Sequence, residues 1–553
     1  MTLRAWFIAL VSVLSTLSTV RGGDDAKETV FDLKAILATP LNPRMLKKSE
    51  KDGIVTEEVM FQSEVDGSKK VEIFGIFCYP KGAKNLPAFI WNQGGLAQAS
   101  SYFPELGAKR GYAALCIDFP MPGYRSTGDY PIVSGLQLTH DLKKAPIYHG
   151  AVALLKAVSF LEQCSEVDKN RIGMCGSSWG GFYTTLMVGI DPRLKVGSAM
   201  FGCGGLHHGN SWWASQPDGK PNQSPEYLDR WRQTLDPAWR LPNRTTPIAW
   251  FTGTNDNFYW MPGLMQSYER AAGPKLLGLL PNWDHGLDSA LDEEVFVWLD
   301  VYLKGAQPLL SVSPLKVEKQ GGDLVAKWTF SGKRPAKRAE VLLSYGDSGN
   351  WRARYWMSVP AKIDGQNCEA TLPKCAHVAY VSGTVLDNES FRSSTPLVRI
   401  DPAALGVSST TNIPDYNTCL EWGSFEASHI DFLDRHAFPH PPVAAGGHKS
   451  AQAIALAAAE NALYPVRLNA GIPHRLSCYL KADKPVAVTY KLVGLSGKHP
   501  AEAARTVNVG TDWTAVHGDV AATGNLFGSL KLVFDVPKGA KVLLDDVEVH
   551  PAK

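Results

Sequence analysis

The chain has 553 residues, 44% of them hydrophobic and 20% charged, and its 56 basic and 54 acidic side chains give a formal charge of +2. That length exceeds a single hydrophobic core and predicts two to four globular domains. Charge this evenly balanced excludes an electrostatic footprint for nucleic acid or for an anionic membrane.

In chain order the first expected element is a secretory signal. Arg4 precedes the apolar run AWFIALVSVLSTLSTV at 5–20, and small residues follow at Val20-Arg21-Gly22. A cut after Gly22 would leave a secreted or periplasmic protein without membrane attachment. The run is short for a bilayer span, and with no cysteine near the cut no lipid anchor is expected. Nine cysteines leave at least one unpaired, and no C-x-x-C spacing suggests zinc or redox chemistry. Cys368 and Cys375 bracket a hairpin and are the pair to test for a disulfide. Cys78, Cys116, Cys175, Cys203 and Cys478 lie in apolar, strand-like runs and read as buried thiols.

From about 70 to 305, short apolar runs alternate with helix-length segments. The runs are VEIFGIFCYP, PAFIWNQ, YAALCIDFP, RIGMCGS, VGSAMFG, TPIAWFTG and KLLGLLP. Between them lie patterns such as YHGAVALLKAVSFLEQC (148–164), apolar at 151, 154, 155, 158 and 161. Strands buried on both faces and separated by crossover helices predict an α/β domain over 23–306 with a doubly wound, mostly parallel sheet. Its last helix should stop at Gly305, before Pro308. Residues 311–400 read as short alternating strands joined by Gly, Asp, Asn and Lys turns, a small β-sandwich. A further all-β module covers 412–553.

The sequence GMCGSSWGGF at 173–182 places Ser178 between Gly176 and Gly180, after a buried strand and before the helical GFYTTLMVG. That is the setting of a nucleophile elbow, a strained turn that lifts a hydroxyl above the sheet edge. A serine hydroxyl needs a base to take its proton. TPIAWFTGTNDN puts Asp256 just past one strand, and LLGLLPNWDHG puts His285 just past the next. His285 would then be the base and Asp256 would orient its imidazole. Asp284 adjoins His285 too closely in sequence to be the natural acid, and Asp118, ahead of the serine, reads as a loop-ordering residue. His207-His208 has a metal-like look but no carboxylate at ligand spacing. The expected oxyanion donors are the backbone N–H of Trp179 and one from the loop after PAFIWNQ, Gly95 in preference to Gly94. Trp179, Trp212, Trp213, Trp260 and Trp283 lie in or near post-strand loops and are candidates to line a pocket.

On these motifs residues 70–305 resemble the α/β-hydrolase superfamily, near its dienelactone-hydrolase, prolyl-oligopeptidase and acetyl xylan esterase branches. DKNRIGMCGSSWGGFYTT, DPRLKVGSAMFGCGGL, FTGTNDNFYW and PNWDHG look like bacterial proteins described as acetyl xylan esterases. One departure is Asn92-Gln93-Gly94-Gly95 where many relatives carry His-Gly-Gly. The C-terminal module, through WGSFEA, LSCYLKADKP and VLLDDVEV, resembles carbohydrate-binding domains of the galactose-binding-like jelly-roll type. That resemblance implies a structural calcium, with Glu426 and Asp546 or Asp545 as ligands. The central domain resembles immunoglobulin-like spacers, to which no chemistry is assigned.

The implied function is a secreted serine esterase that removes acyl groups, most directly acetyl, from a polysaccharide, with no catalytic cofactor. A prolyl-oligopeptidase-like peptidase would use the same triad, but no repeat of propeller length occurs. A glycan-binding protein on an inactive hydrolase fold is the remaining alternative.

Overall fold

The computed structural model describes residues 30–131, 138–208, 223–287, 291–346, 351, 354–408, 423–427, 440–466, 474–494, 504–520 and 530–551. The expected signal at 1–22, and Trp212 and Trp213, lie outside the described residues.

The first sheet has nine strands: β1 (Arg44–Lys51), β2 (Ile54–Asp66), β3 (Lys69–Pro80), β4 (Leu86–Asn92), β5 (Ala113–Ile117), β6 (Val167–Ser177), β7 (Val196–Met200), β8 (Ile248–Gly253) and β9 (Lys275–Leu280). Their order is β1-β2-β3-β5-β4-β6-β7-β8-β9. β1, β2 and β3 form an antiparallel meander that joins β5 antiparallel, and every pair from β5 to β9 is parallel. Seven helices accompany the sheet among the described residues: α1 (Leu33–Ala38), α2 (Tyr102–Lys109), α3 (Pro146–Gln163), α4 (Trp179–Ile190), α5 (Pro225–Thr234), α6 (Met261–Arg270) and α7 (Asp292–Lys304).

Alternation along β4 shows why its run is apolar throughout. Ala88 and Ile90 pack with α3 and α4 residues on one face, and Phe89 and Trp91 pack with α2 and α7 residues on the other. The sheet is therefore covered on both sides. α3 starts at Pro146, whose missing N–H costs nothing in a first turn. α7 holds Asp292, Glu293 and Glu294 at its positive end and stops at Gly305, which takes a left-handed φ of 71°.

A second antiparallel unit follows: β10 (Ser311–Val312), β11 (Lys316–Gln320), β12 (Asp323–Ser331), β13 (Ala336–Tyr345), β14 (Met357–Asp364), β15 (Asn367–Thr371), β16 (Ala379–Asp387), β17 (Arg392–Ser394) and β18 (Val398–Ile400). The strands form one hydrogen-bonded sheet, in which β11 and β18 branch from β12 and β16. β14 joins the halves, pairing with β13 through Met357–Ala361 and with β15 through Lys362–Asp364. Cys368 and Cys375 are buried free thiols here, not a disulfide. Beyond this unit, strands between Val443 and Pro551 make a five-stranded and a four-stranded antiparallel sheet. Their apolar residues and those of the central unit belong to one continuous core.

The central unit also docks on the α/β domain. Leu342, Trp351 and Trp356 join the core built around α3 and α4. The Ser394 hydroxyl in β17 accepts from the Leu279 N–H of β9 at 3.2 Å.

Candidate active site

Parallel strands place their C-terminal ends along one rim, where loops can converge on a ligand. β4 and β6 are neighbours in register, Asn92 opposite Gly176, so the loop after β4 stands beside the turn after β6. That turn is Ser178, with φ 59° and ψ −120°. A non-glycine residue with this backbone stores on the order of 1–3 kcal/mol of strain. Packing holds it there. A side-chain carbon at Gly176 or Gly180 would lie 2.5 or 2.0 Å from the Asn92 carbonyl oxygen, and one at Gly202 would lie 2.4 Å from the Ser178 carbonyl oxygen. The Ser178 N–H donates to the Met200 carbonyl at 2.9 Å.

β8 and β9 supply the other two groups. His285 Nε2 is 2.8 Å from Ser178 Oγ, and its Nδ1 is 2.9 Å from Asp256 Oδ2. Asp256 is buried, and its Oδ1 accepts from the N–H groups of Phe258 and Tyr259 at 2.8 and 2.9 Å. These two donors fix the carboxylate and stabilise its charge. Phe258, Tyr259 and Phe201 surround the imidazole, with ring centroids 4.8, 6.1 and 5.8 Å away. With Ser178 as hydrogen-bond donor to Nε2 and Asp256 as acceptor from Nδ1–H, the chain of three can move one proton off the serine. The acid that faces His285 is Asp256; the adjacent Asp284 is not the group at Nδ1.

The remaining sequence candidates fall in different places. Trp179 opens α4, so its amide is at the positive end of a helix beside the nucleophile, while its indole packs on Phe182 and Tyr183 in the core. In the loop after β4, Gly94 lies beside the nucleophile: a side-chain carbon there would lie 3.4 Å from Ser178 Cβ. Trp260 is a core residue whose indole N–H donates to the Asn257 carbonyl, not an open pocket wall. Trp283 is half-buried and its indole donates to the Gly286 carbonyl at 3.0 Å.

Asp118 is buried and clamps two loops. Its carboxylate accepts from the Ala99 N–H and from Arg125 Nε and Nη2, the latter two at 2.8 and 2.9 Å, and Arg125 Nη2 also donates to the Ala99 carbonyl at 2.6 Å. His207 has Asp236 at 4.0 Å. That carboxylate already accepts the N–H groups of Gly205, Leu206, Trp231 and Ala238, so it orders a loop. Burial pushes His208 down to about 4, leaving it uncharged at neutral pH. Among the described residues no three His, Cys, Asp or Glu side chains stand together at metal distance.

The calcium expected in the C-terminal unit fits poorly. Glu426 accepts the Gln452 N–H, Asp546 faces His448 Nδ1 at 2.9 Å, and Asp545 accepts from His448 N–H, Ser450 Oγ and Asp546 N–H. Calcium takes six to eight oxygens, whereas hydrogen-bond donors already face these carboxylates. The His448 ring lies 3.5 Å from that of Tyr479, nearly parallel, and covers one of its faces.

Sequence reasoning missed Phe258 and Tyr259, which follow Asp256 and act through backbone amides, and Phe201, which follows β7 with φ 49°. Their place after a strand was the available signal. It also missed Asn255 and Asn282, whose partners are remote in sequence.

No protein-family model matches the chain. Over 97 residues it is 31% identical to a "Putative carboxymethylenebutenolidase" of Methylorubrum extorquens, in a stretch that is 17% of this chain and 32% of that one. The chain thus spans about a third of that relative's length. Among solved structures it is similar to an acetyl xylan esterase from Paenibacillus sp. R4, with 21% identity, a TM-score of 0.42, and coverage of 50% of this chain and 96% of that one. Acetyl xylan esterase 1 from Thermoanaerobacterium sp. JW/SL YS485 gives 16%, 0.42, 48% and 90% in the same terms, and a glucuronoyl esterase from Solibacter usitatus gives 11%, 0.35, 48% and 86%. Likeness of this degree carries nothing about substrate. What this chain's own strand order and strand–serine–helix turn describe is an α/β-hydrolase-like region.

Proposed function

We infer that the protein is a serine carboxylic-ester hydrolase, with acetyl groups on a polysaccharide as the preferred substrate class. The observation that carries this reading is His285 spanning 2.8 Å to Ser178 and 2.9 Å to Asp256 while Ser178 sits on a strained elbow. Ser178 Oγ attacks the ester carbonyl carbon as its proton passes to His285 Nε2. Negative charge then develops on the carbonyl oxygen, where the Trp179 amide and the β4 loop would donate. Collapse breaks the carbonyl carbon–alkoxy oxygen bond, and His285 returns the proton to the departing alcohol. Water, deprotonated by the same imidazole, attacks the acyl-serine and releases the acid. Asp256, hydrogen-bonded at Nδ1, holds the imidazole in place and stabilises the imidazolium.

Export extends this reading from the apolar N-terminal run at 5–20, and the polysaccharide and a sugar-binding role for the C-terminal unit extend it from the sequence resemblance. The test has two arms. A fluorophosphonate probe should label the wild type and fail on Ser178→Ala. Acetate should be released from acetylated xylan by the first protein and not the second. Cleavage of peptides without acetate release would reject the esterase, and absence of labelling would reject the nucleophile.

A further inference from the structure

The central β unit, expected to be a spacer, touches both loops that carry the acid and the base. Asn282, three residues before His285, donates from Nδ2 to the Trp356 carbonyl at 2.8 Å, and its Oδ1 accepts the Trp356 N–H at 2.9 Å. Asn255, next to Asp256, donates from Nδ2 to the Arg354 carbonyl at 2.5 Å. Two short hydrolase loops are thus held by one stretch of backbone, residues 354–356.

The same loops are laced to each other. Asn282 N–H donates to Thr254 Oγ1 at 2.9 Å, Thr254 Oγ1 donates to Asn255 Oδ1 at 2.8 Å, and Asn255 N–H donates to the Trp283 carbonyl at 3.1 Å. The receiving stretch is itself anchored. Trp356 and Arg354 are buried; the Arg354 guanidinium donates to the carbonyls of Tyr345 and Gly346 and lies 4.5 and 5.0 Å from the rings of Trp351 and Tyr380. Asn282 takes a left-handed φ of 57°, a backbone that asparagine adopts more readily than most residues. Its side-chain amide therefore pairs with both backbone polar groups of one residue, Trp356, so a change there shifts the start of the segment Trp283-Asp284-His285.

We propose that Asn282 and Asn255 are positioning residues through which the central unit sets the distance between Asp256 and His285, so that the unit is a working part of the catalytic site. This rests on the serine-esterase reading above. Both side-chain amides are turned to the central unit. A displacement of about 1 Å at a reacting group can cost about a hundredfold in rate, and the clasp is the restraint against it.

The experiment uses the full chain. Asn282→Gly keeps the left-handed backbone easy and deletes the amide; Asn282→Asp keeps the acceptor for Trp356 N–H and loses the donor; Asn255→Ala removes the second tie. On p-nitrophenyl acetate, Asn282→Gly should lower kcat at least tenfold with KM within twofold of wild type, and Asn282→Asp should lie between. The acid limb of the kcat/KM pH profile should move to lower pH, because a looser Asp256 contact stabilises the imidazolium less. A merely structural role would lower the melting midpoint without moving that limb. Folded Asn282→Gly with wild-type kcat and pH limb overturns the proposal. Should that variant not fold, Asn282→Asp and Asn255→Ala decide it by the same readouts. Fluorophosphonate labelling of the wild type separates the two failures: labelled protein with unchanged variants rejects the clasp alone, and unlabelled wild type rejects the esterase reading and the clasp with it.

Discussion

Leu96 shows how the loop after β4 is held at the level of one residue. It is the most exposed large apolar side chain among the described residues, at 76%, and it has φ +65°. A left-handed leucine costs roughly 1–2 kcal/mol and persists only where its surroundings over-determine it. Here Gly94 lies beside Ser178 and Ala99 is held by Asp118, with Ala97 N–H turned back to the Gly94 carbonyl at 3.4 Å. The short segment between these anchors cannot relax. Leu96→Gly should therefore raise stability by about 1 kcal/mol and lower kcat/KM on acetylated polymer, as the loop beside the nucleophile loosens. Urea unfolding read beside acetate release checks this; a lower urea midpoint would show that the leucine is not strained.

At the scale of elements, the junction that sets the elbow is β4 against the start of α4. The Asn92 carbonyl occupies the space that side chains at Gly176 and Gly180 would need, and Asn92 Nδ2 donates to Thr184 Oγ1 at 3.2 Å. Gly180→Ala should push α4 off β4, costing about 1–3 kcal/mol as overpacking does, and it should misplace the Trp179 amide. The expected result is a lower denaturation midpoint together with loss of fluorophosphonate labelling; a variant of wild-type stability and labelling would show that the junction gives way freely. This junction also shows what sequence carries. The parallel strands were readable because burial on both faces makes them continuous apolar runs, and Ser178, Asp256 and His285 because each directly follows such a run. β1 was not readable: all eight of its residues are exposed, and RMLKKSEK has neither an apolar run nor an alternation. β2 mixes glutamates into its middle, so it lacks the signature of a buried strand. The roles of Asn255 and Asn282 were out of reach for another reason. Their partners lie 99 and 74 residues away in a different unit, and nothing local in an asparagine records a remote carbonyl.

At the scale of the whole molecule, the seam between the α/β domain and the central unit contains a carboxyl that burial disfavours in its charged form. Glu294, in the first turn of α7, is 5% exposed. The cation facing it is Arg392 of β17, whose Nη1 is 4.0 Å from Glu294 Oε1; Glu294 Oε2 and Arg392 Nε have no hydrogen-bond partner. That separation is too long for a hydrogen bond, and burial outweighs the guanidinium, pushing the carboxyl up to about 7 from 4.5. Between those two values the folded protein holds a proton that the unfolded chain has released, so stability falls as pH rises through the window. Below it the acid is neutral in both states and contributes no such loss. Above it the full cost is present, on the order of 3 kcal/mol. Arg392 keeps part of its side chain in solvent, so removing its partner does not strand a buried charge. Glu294→Gln should therefore stabilise the protein at pH 8 by about 2–3 kcal/mol and change little at pH 4.5. Denaturant unfolding of both proteins at the two pH values tests this. A variant less stable than wild type at pH 8 would mean that the Glu294–Arg392 attraction, despite its length, outweighs the cost of burying the charge.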